Sequence, residues 1–130
     1  MTEIRRTGPP TILSALTLAA NRISGSAAGE SIRAGDACYL SGDGRVYRSL
    51  GAARGEAADV RGFAMADAAP AGAVTLAFDV TMRYGEDLPP GESLYLSGTV
   101  PGGLADFPSP GISQPVAFVV DATAIHVLQS

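Results

Sequence analysis

Few side chains in this sequence have the chemistry of a catalytic or metal site. His126 is the only histidine and Cys38 the only cysteine. One residue of each kind provides too few ligands for a zinc site, and a single cysteine excludes an internal disulfide. No serine lies in the pattern of a nucleophile elbow. We therefore expect Cys38 to be a small buried residue and His126, within an alternating stretch, to be a half-buried or surface strand residue.

Two acidic residues and two glycine-rich segments are the remaining candidates for binding. Asp36 and Glu92 lie in similar surroundings, but no third carboxylate at a fixed spacing completes a calcium loop. The segments at 41–44 and 101–103 lack the lysine of a phosphate loop and precede predicted strands. We predict that the chain is not an enzyme and has no catalytic, cofactor-binding or metal-ligating residues.

The composition is typical of one small domain with a modest core. The 130 residues are 46 % hydrophobic, yet only 6 % are aromatic and none is tryptophan, which favours sharing of apolar surface between subunits. A net charge of −4 and a pI near 4.7 argue against nucleic acid as a partner. No apolar run reaches the roughly 18 residues that cross a bilayer. We expect a soluble intracellular protein without a membrane partner.

Residues 1–25 are predicted to form an extended arm. Pro9 and Pro10 restrict the backbone to extended geometry and remove two donors, so this segment cannot join the middle of a sheet. Three arginines against one glutamate give it a charge of about +2, whereas the rest of the chain carries about −6. A disordered terminus is the alternative, and the resemblance to a secretory signal is superficial. Apolar periodicity leaves residues 13–20 open to either a strand or a short helix.

Beyond residue 30, short apolar runs alternate with Gly, Pro, Asp and Ser, which is typical of an all-β fold. Asp43-Gly44 predicts a two-residue hairpin turn, because glycine tolerates the positive φ that the turn requires. The predicted strands span 37–40, 45–49, 60–66, 73–83, 93–97, 116–121 and 124–128.

An internal repeat is the most informative pattern. Residues 32–42 match residues 88–98 at an offset of 56, with Gly, an acid, Tyr, Leu, Ser and Gly in register. The same offset places 60–63 on 116–119, so we define the repeats as about 32–66 and 88–122. We predict an all-β, small, single-domain barrel-like or sandwich-like fold built from a duplicated β-unit. Residues 26–130 would form this domain, preceded by the N-terminal arm.

Four segments of the sequence resemble the capsid decoration, or cement, proteins of tailed bacteriophages. They are Ile32-Arg-Ala-Gly-Asp-Ala-Cys-Tyr-Leu, Gly42-Asp-Gly-Arg-Val-Tyr-Arg, Val60-Arg-Gly-Phe-Ala and Val119-Val-Asp-Ala-Thr-Ala-Ile-His-Val-Leu. The resemblance covers about residues 26–130.

This resemblance implies a structural virion protein that stabilises the expanded head. Such a protein binds the outer surface of the capsid, often as a homotrimer at threefold or quasi-threefold sites, with the major capsid protein as its partner. The arm would reach neighbouring capsid subunits. Its expected contact residues are Arg5, Arg6, Pro9, Pro10, Ile12 and Leu13.

Two other classes of function remain open. Another virion β-module, such as the base of a head fibre or a tail-associated protein, would have the same kind of domain at another place on the particle. A small-molecule binding barrel or an accessory enzyme domain would need an apolar pocket with convergent polar groups, and this aromatic-poor sequence offers few residues to line one.

Overall fold

Strands account for nearly all the regular structure in the computed structural model of the chain, which describes residues 3–4, 12–15, 22–53, 55–111 and 114–128. The prediction of an all-β fold is confirmed. A single 3-10 turn, Gly55–Ala58, is the helical exception within these ranges. The strands of the described ranges are β1 (Glu3–Ile4), β2 (Ile12–Ala15), β3 (Arg22–Ala27), β4 (Ala37–Leu40), β5 (Val46–Arg48), β6 (Gly62–Ala64), β7 (Ala73–Ala77), β8 (Val80–Arg83), β9 (Ser93–Leu96), β10 (Leu104–Ala105), β11 (Ala117–Val119) and β12 (Ala124–Val127).

The strands form two antiparallel sheets with the same internal order. The five-stranded sheet runs β3-β7-β6-β4-β5, and the seven-stranded sheet runs β1-β10-β9-β11-β12-β8-β2. When β1 and β2 are set aside, the larger sheet reads β8-β12-β11-β9-β10 from its other end. Each strand of the first sheet therefore has a counterpart in the second. We call residues 22–77 the first unit and residues 80–127 the second unit.

Backbone hydrogen bonds show the duplication in detail. The Gly35 amide donates to the Ala64 carbonyl over 2.7 Å, and the Gly91 amide donates to the Val119 carbonyl over 2.9 Å. Both glycines adopt a left-handed conformation, with φ of 88° and 87°. The turn that leads into the second strand of each unit is therefore the same turn, as the repeat predicted.

The register of the fourth strand of each unit, β6 and β11, differs from the prediction by one residue. β4 pairs with β6 so that Ala37 lies opposite Phe63, and β9 pairs with β11 so that the equivalent Ser93 lies opposite Phe118. Phe63 thus corresponds to Phe118, an offset of 55, and the predicted match to Val119 was wrong. The second unit has one residue fewer between these strands, and a shift of one residue moves a side chain to the other face of a sheet.

One predicted turn and one predicted strand are corrected. The Ser41 amide donates to the Arg45 carbonyl and the Gly44 amide to the Ser41 carbonyl, so the hairpin loop has three residues, with Gly44 at φ 82° in the left-handed position. The predicted strand at 73–83 is two strands, β7 and β8. Asp79 breaks it with a φ of 53°, which aspartate tolerates better than most residues.

The two sheets pack in a sandwich-like arrangement rather than a closed barrel. The edge strands β3 and β5 of the first unit approach each other through one parallel bridge, Ala28 to Val46. This unit encloses its own apolar cluster, which consists of Ala28, Ile32, Cys38, Val46, Ala64, Val74 and Leu76. The other face of its sheet presents Ala37, Phe63 and Ala77 to a larger cluster formed by the second unit.

The larger cluster follows the alternation of the second sheet. Leu94 and Leu96 on β9 point to the same interior, and Tyr95 between them is partly exposed. β8 and β12 alternate in the same way, so that residues two apart share a face. The residues of this cluster that belong to the second unit or its turns are Val80, Met82, Tyr84, Leu88, Leu94, Leu96, Leu104, Val116, Ala117, Val119, Ile125 and Val127.

Candidate functional site

The described part of the N-terminal segment lies at the edges of the seven-stranded sheet. β1 pairs with β10, with Glu3 opposite Ala105 and Ile4 opposite Leu104. β2 pairs with β8 at the opposite edge, with an irregularity between Ile12 and Ser14. Ile12 and Leu13 thus belong to a strand paired with the chain's own body, not to a free segment. Strand β3 begins at Arg22 and belongs to the five-stranded sheet. The predicted end of the arm, at residue 25, therefore lies inside a strand.

Four of the predicted capsid-contact residues, Arg5, Arg6, Pro9 and Pro10, lie outside the described residues. Their neighbours in sequence are β1 and β2. The predicted role of this segment in binding the capsid therefore stays a prediction, and the structure adds that strands on both sides of it take edge positions in a sheet.

The edge of the first unit is closed by its own residues. The Val46 carbonyl accepts a hydrogen bond from the Gly29 amide over 2.8 Å. The Glu30 carboxylate accepts both the Arg48 amide, over 2.9 Å, and the Arg48 guanidinium, over 3.1 Å. The Val46 carbonyl and the Arg48 amide of edge strand β5 therefore both have partners. Such coverage disfavours the addition of a further strand.

His126 is the centre of a polar cluster on the outer face of the second unit. Its Nδ1 lies 2.9 Å from Thr81 Oγ1 and its Nε2 lies 3.0 Å from Asp79 Oδ1. Its side chain is 25 % exposed, so the predicted half-buried strand position is confirmed. A neutral imidazole that donates from Nε2 and accepts at Nδ1 satisfies both contacts.

The cluster has the connectivity of a hydroxyl, imidazole and carboxylate relay. Thr81 lies within β8, which is flanked by β12 and β2. The amide groups of a strand paired on both sides lie in the plane of the sheet, so those of β8 do not converge above the Thr81 hydroxyl to stabilise an oxyanion. The arrangement is suited to fixing the orientation of the His126 ring.

Phe118 lies directly beside this ring, with the two centroids 5.4 Å apart and tilted by 34°. Phe118 pairs with His126 across β11 and β12. The phenyl ring is 40 % exposed. An aromatic side chain is therefore held on the surface by a histidine whose two ring nitrogens already have partners.

The other chemically capable residues have structural surroundings. Cys38 is fully buried and donates to the Asp36 carbonyl over 3.3 Å, so the prediction of a buried small residue is confirmed. The Asp36 carboxylate is 2 % exposed and accepts the Arg33 amide. Glu92, its counterpart in the repeat, is exposed.

Two turn carboxylates have lowered pKa values. The Tyr47 hydroxyl donates to Asp43 over 2.7 Å, which lowers the pKa of Asp43 below 3.8 and raises the pKa of Tyr47 above 10.0. In the second unit, Asp121 accepts the amides of Thr123 and Ala124. These bonds lower the pKa of Asp121, chiefly through Thr123.

The described ranges contain neither a metal-ligand cluster nor a membrane-spanning helix. No group of three or more His, Cys, Asp or Glu side chains there is close enough to hold a metal ion. The same part of the chain contains no helix with the length and hydropathy of a membrane span.

Sequence reasoning missed Asp79, Thr81 and Phe118 as neighbours of His126. Alternation along two adjacent strands places Phe118 and Val120 on the same face as His126 and Leu128, and this pattern is visible in the sequence. Asp79 was hidden inside a predicted long strand. Comparison with family models and with curated proteins found no match to the chain.

Proposed function

We propose that the protein is a structural component of a phage particle, a decoration protein that binds the outer surface of the expanded head and stabilises it. The sequence resemblance over about residues 26–130 suggests this class. The observation that carries the proposal is the difference between the sheet edges: the second unit takes a strand of the N-terminal segment at each of its two edges.

Edge pairing gives the N-terminal segment a means of binding a shell. A strand that adds to the edge of one sheet can add to the edge of another, since the main-chain hydrogen bonds are the same. The irregularity in β2 and the two-residue length of β1 make these ladders short. The proposed shell contacts are Arg5, Arg6, Pro9, Pro10, Ile12 and Leu13, on edge strands of the major capsid protein.

Binding restricted to the expanded lattice stabilises that lattice. A ligand that binds only one state adds RT ln(1 + [L]/Kd) to the stability of that state. Three linked copies, the number that the resemblance implies, would strengthen the effect by about 10² to 10⁴ when all of them reach their sites. The acidic body keeps the exposed surface soluble.

Co-sedimentation with empty shells tests the proposal. The purified protein should bind expanded, undecorated heads saturably and should not bind unexpanded shells. The decorated shells should then withstand a higher temperature before they dissociate. Binding to tails or fibres instead of heads would support the other virion β-module, and binding to none of these particles would overturn both.

A variant without the two arginines of the segment makes the test specific. Arg5→Gln with Arg6→Gln should weaken shell binding while the β-sheet circular dichroism is unchanged. Arg61→Gln, an exposed arginine of the first unit, is the matched control. Equal binding by all three proteins would show that the basic segment does not contact the shell.

A further inference from the structure

One strip of the second unit carries most of the large apolar side chains that the described residues expose. Phe118, Val120 and Leu128 are 40 %, 45 % and 36 % exposed, and Val100 in the β9–β10 loop is the fourth. Phe118 lies opposite His126 in the β11–β12 ladder, and positions two apart share a face. We call Phe118, Val120, His126 and Leu128 the Phe118 face.

The duplication shows what covers the same strip in the first unit. Phe63 corresponds to Phe118, and Ala77, which pairs with Phe63, corresponds to His126. Both first-unit residues are at most 1 % exposed and belong to the cluster that joins the two units. This face of the repeat is therefore already a contact surface between two β-units of the same kind, and it is used once within the chain.

The Phe118 face can be covered by a partner without the loss of hydrogen bonds. The ring nitrogens of His126 have their partners in Thr81 and Asp79, so covering this ring does not leave a polar group unsatisfied. The Phe118 ring rests against that fixed imidazole. A rigid, partly exposed aromatic side chain with satisfied polar neighbours is typical of an interface hot spot.

The charges around the face suit a partner with the same surface. Arg83 follows Thr81 by two residues and so shares its side of the sheet, and it acts on Asp121 electrostatically. Arg83 and Asp121 are both exposed, so the border carries both signs. Copies that meet here can pair Arg83 of one copy with Asp121 of the next, and this pairing is compatible with a threefold as well as a twofold axis.

We infer that the Phe118 face is the surface through which one copy of this chain associates with a second copy. The first unit covers this face by packing against a β-unit of its own chain, and the second unit covers it by packing against a β-unit of another copy. The inference deepens the proposed function, since it assigns the contact that holds the expected oligomer together. It does not depend on the presence of a shell.

Solution mass measured over a range of concentrations tests the inference. Wild-type protein should sediment as a multiple of 13.2 kDa. Phe118→Ser should weaken the association about 30-fold or more, the loss expected for a hot-spot residue. Val120→Ser should shift it in the same direction, and Val100→Ser, which removes an exposed valine from elsewhere, should leave it unchanged. Circular dichroism and thermal unfolding verify that each variant is folded.

Three outcomes would overturn the inference. The first is a wild-type mass of 13.2 kDa at about 1 mM, where even a millimolar dimer is populated. The second is equal association by folded Phe118→Ser and wild type. The third is a monomeric wild type whose shell binding is lost in Phe118→Ser, because the face would then belong to the capsid contact. An oligomer that depends on Phe118 but ignores shells would sustain the inference and contradict the proposed function.

Discussion

The two units of this protein share one strand order but use equivalent surfaces differently. In the first unit, Phe63 is buried against the second unit, and the β5 edge is closed by Gly29 and Glu30. In the second unit, Phe118 is exposed, and both sheet edges take strands from the N-terminal segment. The first unit is thus self-contained apart from its contact with the second, and the second unit carries the surfaces that remain for partners.

This difference follows from where the units meet. One face of the repeat must lie between the units, and only the first unit can present Phe63 there while the second contributes its interior. The equivalent face of the second unit is left on the outside, since no third unit follows it within the described residues. Duplication therefore produced two copies of one contact surface and an internal use for only one of them.

Truncation of the two equivalent phenylalanines is the strongest test of the comparison. Phe63→Ala should destabilise the protein by about 3–5 kcal/mol, because it removes a fully buried ring and leaves a cavity. Phe118→Ala should cost less than about 1 kcal/mol in the monomer, because its ring is partly in water. Urea unfolding at low protein concentration measures both. Equal losses would mean that the two faces are equally buried in solution.

The equivalent hairpin glycines give the next largest difference. Gly44 and Gly102 both have positive φ, 82° and 75°. A methyl group at Gly44 meets open space, whereas one at Gly102 would lie 2.9 Å from the Asp36 side chain. Gly44→Ala should cost about 1–2 kcal/mol from backbone strain, and Gly102→Ala should cost about 2–4 kcal/mol because steric overlap adds to it.

The measurement for this pair is again the urea midpoint at constant slope. Gly102 also accepts the Ala37 amide and donates to the Ser49 carbonyl, so it lies where the units join. A Gly102→Ala loss no larger than that of Gly44→Ala would show that Asp36 moves aside at little cost and that the contact between the units is loose.

Much of the fold could be predicted because the repeat is strongest where turns require particular residues. Gly35 and Gly91 match in sequence because both turns need a left-handed residue. Alternation identified β4 and β9, whose side chains divide between core and surface. β3 was missed because Gly25 and two serines interrupt its apolar pattern and its pairing is irregular.

The candidate site could be predicted only in part. His126 was correctly expected to be half-buried, but its partners depend on pairings between strands far apart in sequence, such as Thr81 opposite His126. The burial of Asp36 and the exposure of Glu92 follow from the packing of one unit on the other. The sequences of the two repeats do not show how the units pack on each other. Their comparison therefore treated Asp36 and Glu92 as equivalent.

Closure of the β5 edge predicts a smaller effect. Glu30→Ala removes the acceptor of the Arg48 amide and its guanidinium partner. Because both side chains are about a third exposed, the loss should be only about 0.5–1.5 kcal/mol. Glu86→Ala is the matched control, since Glu86 follows Glu30 by the repeat offset of 56 and is exposed.

The rate of aggregation also reports on the contact between Glu30 and Arg48. An uncovered edge strand is a site for pairing with other chains, so Glu30→Ala should scatter more light on prolonged incubation than Glu86→Ala. Equal scattering by the two variants would show that the Glu30 carboxylate does not protect the β5 edge.

The titration of the turn residues is the subtlest distinction between the units. Asp43 has a lowered pKa, so its stabilising contribution is present above pH 3.8 and is lost as the pH falls through the lower pKa of the folded state. Tyr47 has a raised pKa, so its contribution is present below pH 10.0 and is lost as the pH rises through the higher pKa of the folded state. The first unit therefore loses stability at both low and high pH through one hydrogen bond.

Asp121 in the second unit is bonded by amides that do not titrate, so it contributes only to the loss of stability at low pH. Tyrosinate absorbance of the wild type should include a component above pH 10.0 that is absent in Tyr47→Phe. Asp43→Asn should return that component towards pH 10.0, while Asp121→Asn should leave it unchanged. A tyrosinate profile insensitive to Asp43→Asn would place the Tyr47 hydroxyl in water and remove this difference between the units.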